Sequence, residues 1–502
     1  MQIALVQSPV WSNTSDDRYS AARTGGYPNF LSDPQKSRLE RIRQAQLLFD
    51  GKHEQYFLAE NRTQFDFEQM DVGGVTIKPY STFNVLGLTS LKFADLMFGQ
   101  APALRVDDKI QQGFLDELVK RCHLHSFLHA CATDCSYEAE SFIEAAIING
   151  GVYLRQIRAD EIFPEGEIGP DWQFASYVAY RIANVGTGES PVWVMLEVRY
   201  LVGSIERQLW QLADDGTRRG QVDLAQWPLP AGTAPLPPVT QTGIGRNTIT
   251  YVPNLMVRGT ATSDYDGAIN LQDKLNAKDT QVDVILAKYA SPAWAVPQEM
   301  ADETGSLQAR RKLFFYHDPT RIPKDLARQL QIDSAIADCK RTLNNLLIRM
   351  EMSAVLLGLK EGAAPDAWRK VKLESFNAIK KAERKSAFWT AGATRAIEVA
   401  QDLENTLPGV RYDRWPIAVE IRDGIPVDEL DLAQKHATLR GAGLISKRGA
   451  ITERLGDGAA AEAELTELDE EAAAATPSVF LGGSEVNDQS PSPNDQGMTN
   501  DE

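Results

Sequence analysis

The chain is most constrained by two helical runs, 266–290 and 326–350, that bracket a short segment of β character. The second run carries Ile332, Ile336, Cys339, Leu343, Leu346 and Met350. The steps between them alternate four and three residues, which draws a narrow apolar seam along an otherwise polar helix. A helix with so narrow a seam buries little within its own chain. It needs neighbours on its flanks, and further copies of the same chain can supply them, which points to a ring or bundle rather than an enzyme cleft.

A chain of 502 residues has room for several domains. No apolar stretch reaches the roughly 18–20 residues that span a bilayer. The opening residues, MQIALVQSPVWSNTSDD, lack a basic start and a long apolar core and make a poor signal peptide. Cys122, Cys131, Cys135 and Cys339 form no secreted disulfide framework, so a reducing cytoplasm is the expected place of synthesis. Of the net charge of −17, twelve acids and no Lys or Arg follow Arg454, which leaves −5 for residues 1–454. That balance argues against a chain that wraps nucleic acid tightly, because tight binders neutralise phosphates with basic groups. It allows a surface that DNA slides past without sticking.

Residues 1–36 are rich in Ser, Asn, Asp, Gly and Pro and read as an arm. Ser37 to Tyr56 is expected to be an amphipathic helix, with Leu39, Ile42, Ala45, Leu48 and Phe49 on one side. Asn84 to Phe98 is a second helix, stopped by Gly99 with Pro102 beyond. Between Val152 and Tyr251 the pattern turns to alternation and β-branched or aromatic residues, with Asp215-Gly216 as a hairpin turn. PAWAVP and KLFFYH read as short strands between the two seam-bearing runs. A long helix over 367–406 is expected to bend at Gly392. Short helices follow, one of them capped by Ser446, and residues 476–502 have the composition of a disordered acidic tail. The expected fold class is α+β, mainly helical.

Chemistry-bearing motifs are sparse. Cys122, His123, His125, His129, Cys131 and Cys135 cluster, and Cys122, His125 and His129 would share one helix face. Their spacing matches no zinc pattern, so a packed helix with small buried thiols is the first reading and a metal site the second. There is no GxxxxGK[ST] and no GxSxG. Asp107-Asp108 and Asp214-Asp215 read as solvated turn acids. In 368–385 seven basic residues, Arg369, Lys370, Lys372, Lys380, Lys381, Arg384 and Lys385, stand against Glu374 and Glu383. This is either a solvated helix face or a contact to phosphates or an acidic neighbour. No catalytic residue, cofactor or metal is expected.

The order of these elements resembles the portal (head-to-tail connector) proteins of tailed double-stranded-DNA bacteriophages, of the long-chain siphophage type. Three stretches carry the likeness: NVLGLTSLKFADLMFGQAPALRVDD, DYDGAINLQDKLNAKDTQVDVILAKYASPAWAVP and VEIRDGIPVDELDLAQKHATLRGAGLISKRGAITERLG. Over residues 37–475 the resemblance implies a wing (37–265), stem helices (266–290 and 326–350), a clip (291–325), a tunnel loop (351–366), a long kinked helix (367–406) and a crown (407–475). It implies a homo-oligomeric ring, usually of twelve copies, at one capsid vertex, through which double-stranded DNA is packaged and ejected. Met352, Val355, Leu356, Leu357 and Lys360 would lie near the DNA. Arg310, Arg311, Lys312, Arg321 and Lys324 would be clip contacts to the packaging motor or the adaptor. Implied partners are the terminase large subunit, the head-tail adaptor, and the major capsid and scaffolding proteins, with no membrane. Assembly would occur in the host cytoplasm and residence would be in the virion. A helix of about 25 residues is about 37 Å long, enough for a channel wall. Two other readings compete: a non-ring coiled-coil scaffold or interaction protein, and a metal-dependent enzyme built on Cys122, His125 and His129.

Overall fold

A computed structural model describes residues 28–66, 70–72, 75–77, 80–186, 192–229, 235–289, 294–297, 313–316, 332–359, 368–409, 411–413, 415–421, 429–455 and 464–470. The chain forms two units, 1–425 and 426–502. Among the described residues no helix is long and apolar enough to cross a membrane.

The first unit opens with α1 (Asp33–Phe49), whose Ser32 and Gln35 make a reciprocal capping box. Leu39, Ile42, Ala45 and Leu48 form its buried stripe, as their spacing predicts. The helix ends at Phe49, earlier than expected, and Gln55–Ala59 forms a separate π-helical turn. A small pair, β1 (Met70–Val72) and β2 (Val75–Ile77), follows. Then comes α2 (Val85–Phe98), capped by the Asn84 side chain, which accepts from the Gly87 amide. β3 (Ala103–Arg105), α3 (Lys109–Cys122) and α4 (Leu124–Glu138) lead into the sheets.

β4 (Glu140–Ile148) and β5 (Gly151–Ile157) make a hairpin whose two loop residues, Asn149 and Gly150, take φ of 52° and 83°. Paired positive φ values of this kind form the tight turn that matches strand twist. The larger sheet contains β6 (Ile162–Glu165), β7 (Ser176–Asn184), β8 (Trp193–Leu201), β9 (Ser204–Leu212) and β10 (Arg218–Val222), in the order β10-β9-β8-β7-β6. β11 (Val239–Gln241) adds to β9. Gly216, at φ 77°, turns β9 into β10 where Asp215-Gly216 predicted it. β12 (Ile249–Pro253) pairs with β4 to complete a three-stranded sheet, and β13 (Met256–Val257) and β14 (Thr260–Ala261) form a small ribbon.

Next come α5 (Ile269–Tyr289), β15 (Trp294–Pro297), β16 (Leu313–Tyr316) and α6 (Ile332–Met350), where the two runs and the intervening strands were expected. β15 and β16 pair in parallel, Trp294 opposite Leu313. The long helix differs from expectation. It is two helices, α7 (Trp368–Glu374) and α8 (Phe376–Glu404), and the break falls at Ser375. Gly392 sits inside an unbroken α8. It is there for contact: a Cβ at this position would lie 2.5 Å from Val252 Cγ2 on β12. The glycine therefore lets α8 lie directly on the sheet. Strand β17 (Ala418–Glu420) pairs with β3 and so belongs to the first unit.

The main core gathers α2, α3 and α4, the β4–β5–β12 sheet, the inner ends of α5 and α6, and α8. Trp389 lies at its heart, with its ring edge-on to Phe98 at 5.6 Å. One buried acid makes this core sensitive to pH. Burial pushes the Glu138 carboxyl up from 4.5 to about 8, and Asp134 and Asp160 add to the rise, while Gln46 and Arg158 oppose it. The folded state then holds a proton that the unfolded chain has released, so stability falls as pH rises from about 4.5 to about 8. Glu161, raised to about 7, and Asp134, also raised, act in the same direction. Glu138→Gln is expected to flatten part of this slope, read as urea midpoints at pH 5 and pH 8. A slope unchanged by the substitution would place the titration elsewhere.

The second unit contains α9 (Glu429–Gly441) and α10 (Lys447–Leu455). Ser446 caps α10 as expected, its hydroxyl accepting from the Gly449 amide at 2.9 Å. Lys447 pairs with Asp469 at 2.6 Å, and Leu444 between the helices is exposed.

Candidate functional site

α5 and α6 run antiparallel. Lys278 on α5 pairs with Asp338 on α6, and Arg349 near the end of α6 donates to the Asp266 carbonyl just before α5 at 3.2 Å. Nineteen residues make α6 about 28 Å long. Burial along its seam is graded. Ile336 is 39% exposed, Cys339 and Leu343 are half-buried, and Leu346 and Met350 are fully buried in the main core. Of the five described seam positions, two therefore anchor the hairpin and three stay partly open. The Ile332 side chain lies outside the described residues. Ile348, off the seam, is 73% exposed.

The chain leaves α6 through a tight turn. The Met352 amide donates to the Leu347 carbonyl at 2.9 Å and the Glu351 amide to the Ile348 carbonyl at 3.1 Å, while Glu351 takes a left-handed φ of 57°. This is the paired-bond helix ending in which glycine normally occupies Glu351's position. Of the residues expected near DNA, Met352 is turned into the core and is corrected on that ground. Leu356 and Leu357 are half-buried against the core, Val355 is half-buried, and Leu359 is 36% exposed. Lys360 lies outside the described residues, as do Arg310, Arg311, Lys312, Arg321 and Lys324.

The basic run is where sequence reasoning missed most. Lys381 and Lys385 stand on neither a solvated nor a phosphate-facing surface: both are buried, one helical turn apart, on the inner face of α8. Lys385 is ion-paired with Asp264, and Lys381 reaches the same carboxylate at 3.0 Å. Ser136 on α4 also donates to Asp264. Both ammonium groups face the Phe93 ring on α2, at 4.2 Å for Lys385 and 4.7 Å for Lys381, where the electron-rich face attracts a cation. Burial works against the charge on Asp264, but Lys385 and Lys381 prevail and hold its carboxyl well below the usual carboxylate range. Burial lowers the Lys385 ammonium to about 8 against the pull of Asp264. A signal was present in the sequence. Ala378, Lys381, Ala382, Lys385, Trp389 and Ala396 share one helical face, so the two lysines interrupt an apolar stripe. Farther out, Arg384 pairs with Glu351 at 2.6 Å and Lys380 with Glu383 at 2.6 Å, both exposed.

The Cys/His cluster disperses. His125 Nε2 is 2.6 Å from the Phe98 carbonyl, His129 Nε2 is 3.1 Å from Asp95, and Cys122 Sγ accepts from the Leu154 amide. Cys131 and Cys135 are buried, and burial raises both thiols far above their ordinary range. Among the described residues no three His, Cys, Asp or Glu side chains converge as ligands. A cleft of about 520 Å³ beside α8 is lined by Trp172, Phe388, Arg246 and Arg395, among others. Its arginines are already paired, Arg246 with Glu398 and Arg395 with Asp171.

Residues 330–478 match the family described as phage portal protein, SPP1 Gp6-like. The match is consistent with a phage-type portal protein. It takes in α6, the 351–359 turn, α7, α8, α9 and α10, so the graded seam and the α8 lysines both lie within the portal-matched stretch. Among solved structures, the chain is similar to one from the virion of a native gene transfer agent particle. That likeness has 14% identity, 88% of this chain and 94% of that one covered, and a TM-score of 0.37. It is also similar to a chain in the neck of the native particle computed with C12 symmetry, at 13% identity, with 74% and 90% covered and a TM-score of 0.39. No curated protein matches the chain.

Proposed function

We propose that this chain is the subunit of a portal ring. Identical copies would close around a channel that conducts double-stranded DNA into and out of a capsid, with no catalysis of their own. The reading rests on one observation above the rest, the portal-family match over 330–478. The graded α6 seam supports it physically: Ile336, Cys339 and Leu343 remain partly uncovered in one chain, and a neighbouring copy against this flank would bury them. In this reading α5 and α6 are the stem and 291–325 is the clip facing the terminase and later the adaptor. Residues 351–366 face the channel through Val355, Leu356, Leu357 and Lys360, and the clip cations are Arg310, Arg311, Lys312, Arg321 and Lys324. The ring would sit at one vertex of the virion, in contact with capsid and scaffolding proteins.

Negative-stain electron microscopy of the purified chain tests the ring. Annular particles with an axial hole are expected, and their rotational symmetry gives the copy number. Compact particles without a hole at every concentration would overturn the reading.

A further inference from the structure

The α8 cations meet the α5–α6 hairpin at both of its inner ends. Lys381 Nζ donates to the carbonyl of Met350, the last residue of α6, at 2.9 Å. Three residues on, Arg384 holds the carboxylate of Glu351, the first residue beyond that helix. Lys381 and Lys385 together hold Asp264, five residues before α5 begins. One face and edge of a single helix thus grip the way into α5 and the way out of α6.

Glu351 makes the grip legible. An L residue adopts a left-handed φ only at a cost, and glycine would close this turn without it. A glutamate held in that conformation at a helix ending, with its side chain on a cation from another helix, is an outlier that calls for a role. The carboxylate does what glycine cannot: it ties the turn to α8.

We propose that Lys381, Arg384 and Lys385 are positioning residues that set how residues 351–359 leave α6. Because Lys381 serves both Asp264 and the Met350 carbonyl, and Lys385 fixes that same Asp264 to α8, a displacement of the α5–α6 hairpin is passed to α8 and to 351–359 together. Among the described residues the segment's backbone ties beyond the turn at Glu351 and Met352 are Gly358 to Val355, Leu359 to Ala354, and the Val355 amide to Ser353 Oγ. Its direction is therefore governed by the bracket at its root and by the half-buried leucines. The inference concerns how the segment is held, and it stands or falls independently of whether DNA passes it.

Hydrogen exchange read by mass spectrometry on the full chain tests it. Glu351→Asn keeps a residue that tolerates the left-handed turn, removes the charge and draws the side chain back by one methylene from Arg384. It is expected to speed exchange across 351–359 by about threefold while amides of α4 and β4 keep their protection. The exchanged pair Glu351→Arg with Arg384→Glu is expected to restore protection, which a turn held by shape alone would not do. Lys381→Met is expected to loosen 351–359 and 262–270 together. Unchanged exchange in Glu351→Asn, no recovery in the exchanged pair, or loosening confined to one of the two segments would overturn the proposal. If Lys381→Met fails to fold, the exposed Glu351–Arg384 pair still decides it.

Discussion

Asp264→Asn is expected to lower the unfolding free energy by about 3–5 kcal/mol, the usual cost of removing one partner from a buried ion pair. The expectation rests on geometry. The Asp264 and Lys385 side chains are fully buried and that of Lys381 nearly so, and a single carboxylate serves both cations. Without it the two buried ammonium groups are left facing the Phe93 ring, with the Met350 carbonyl accepting from Lys381. Lys385 has an escape, because burial already lowers it to about 8 and loss of Asp264 lowers it further. The neutral form is then favoured in the folded state, so the variant gains stability as pH rises toward the unfolded lysine value of 10.5. Asp264→Asn is therefore expected to be much less damaging at pH 9 than at pH 6. Adding Lys385→Met should recover a large part of the loss, since a neutral pair removes the orphaned charge. Urea unfolding at the two pH values measures all three. A loss independent of pH, or additive effects in the double variant, would show that the lysines keep water or another partner.

The second large effect is expected at Trp389. Truncation to alanine should cost about 3–5 kcal/mol, because the side chain is fully buried and closes the space between α8, α2 and the sheet. The indole N–H meets no acceptor among the described residues. Trp389→Phe therefore deletes an unsatisfied donor and keeps the aromatic contact with Phe98, so its cost should be well under half that of alanine. Thermal unfolding orders the two variants. Equal losses would mean that the indole's polar edge, not its volume, matters.

Much of the fold could be read before any coordinates, wherever the information is local. The helix from Asn84 to Phe98 with its stop at Gly99, the Asp215-Gly216 turn, the Ser446 cap and the period of the α6 seam each rest on residues within one or two turns of each other. Gly392 and the two buried lysines were missed because they depend on residues far apart in sequence. Gly392 was read as a bend because its contact, Val252, lies 140 residues earlier. Lys381 and Lys385 were read as surface charges because their carboxylate is more than a hundred residues upstream. Met352 was placed near DNA as part of an apolar loop, but the tight turn at Glu351 carries it back into the core. Cys131 and Cys135 are the small buried thiols that the first reading of the Cys/His cluster expected, and the face shared by Cys122, His125 and His129 is lost because α3 ends at Cys122 and α4 begins at Leu124, so the three found separate partners.

The position of α8 has a consequence for how the chain is made. Its partners in the core, α2, α4 and the β4–β5–β12 sheet, are all synthesised long before residue 376. At roughly 5–20 residues per second, more than ten seconds separate the emergence of β4 from that of α8. Through that interval the face destined for Trp389 stays open, and Asp264, once made, waits for lysines more than a hundred residues away. The nascent chain is thus an unfinished, adhesive object for most of its synthesis, and only a late helix seals it. Any copy cut short before residue 376 would be left with the face under Trp389 exposed.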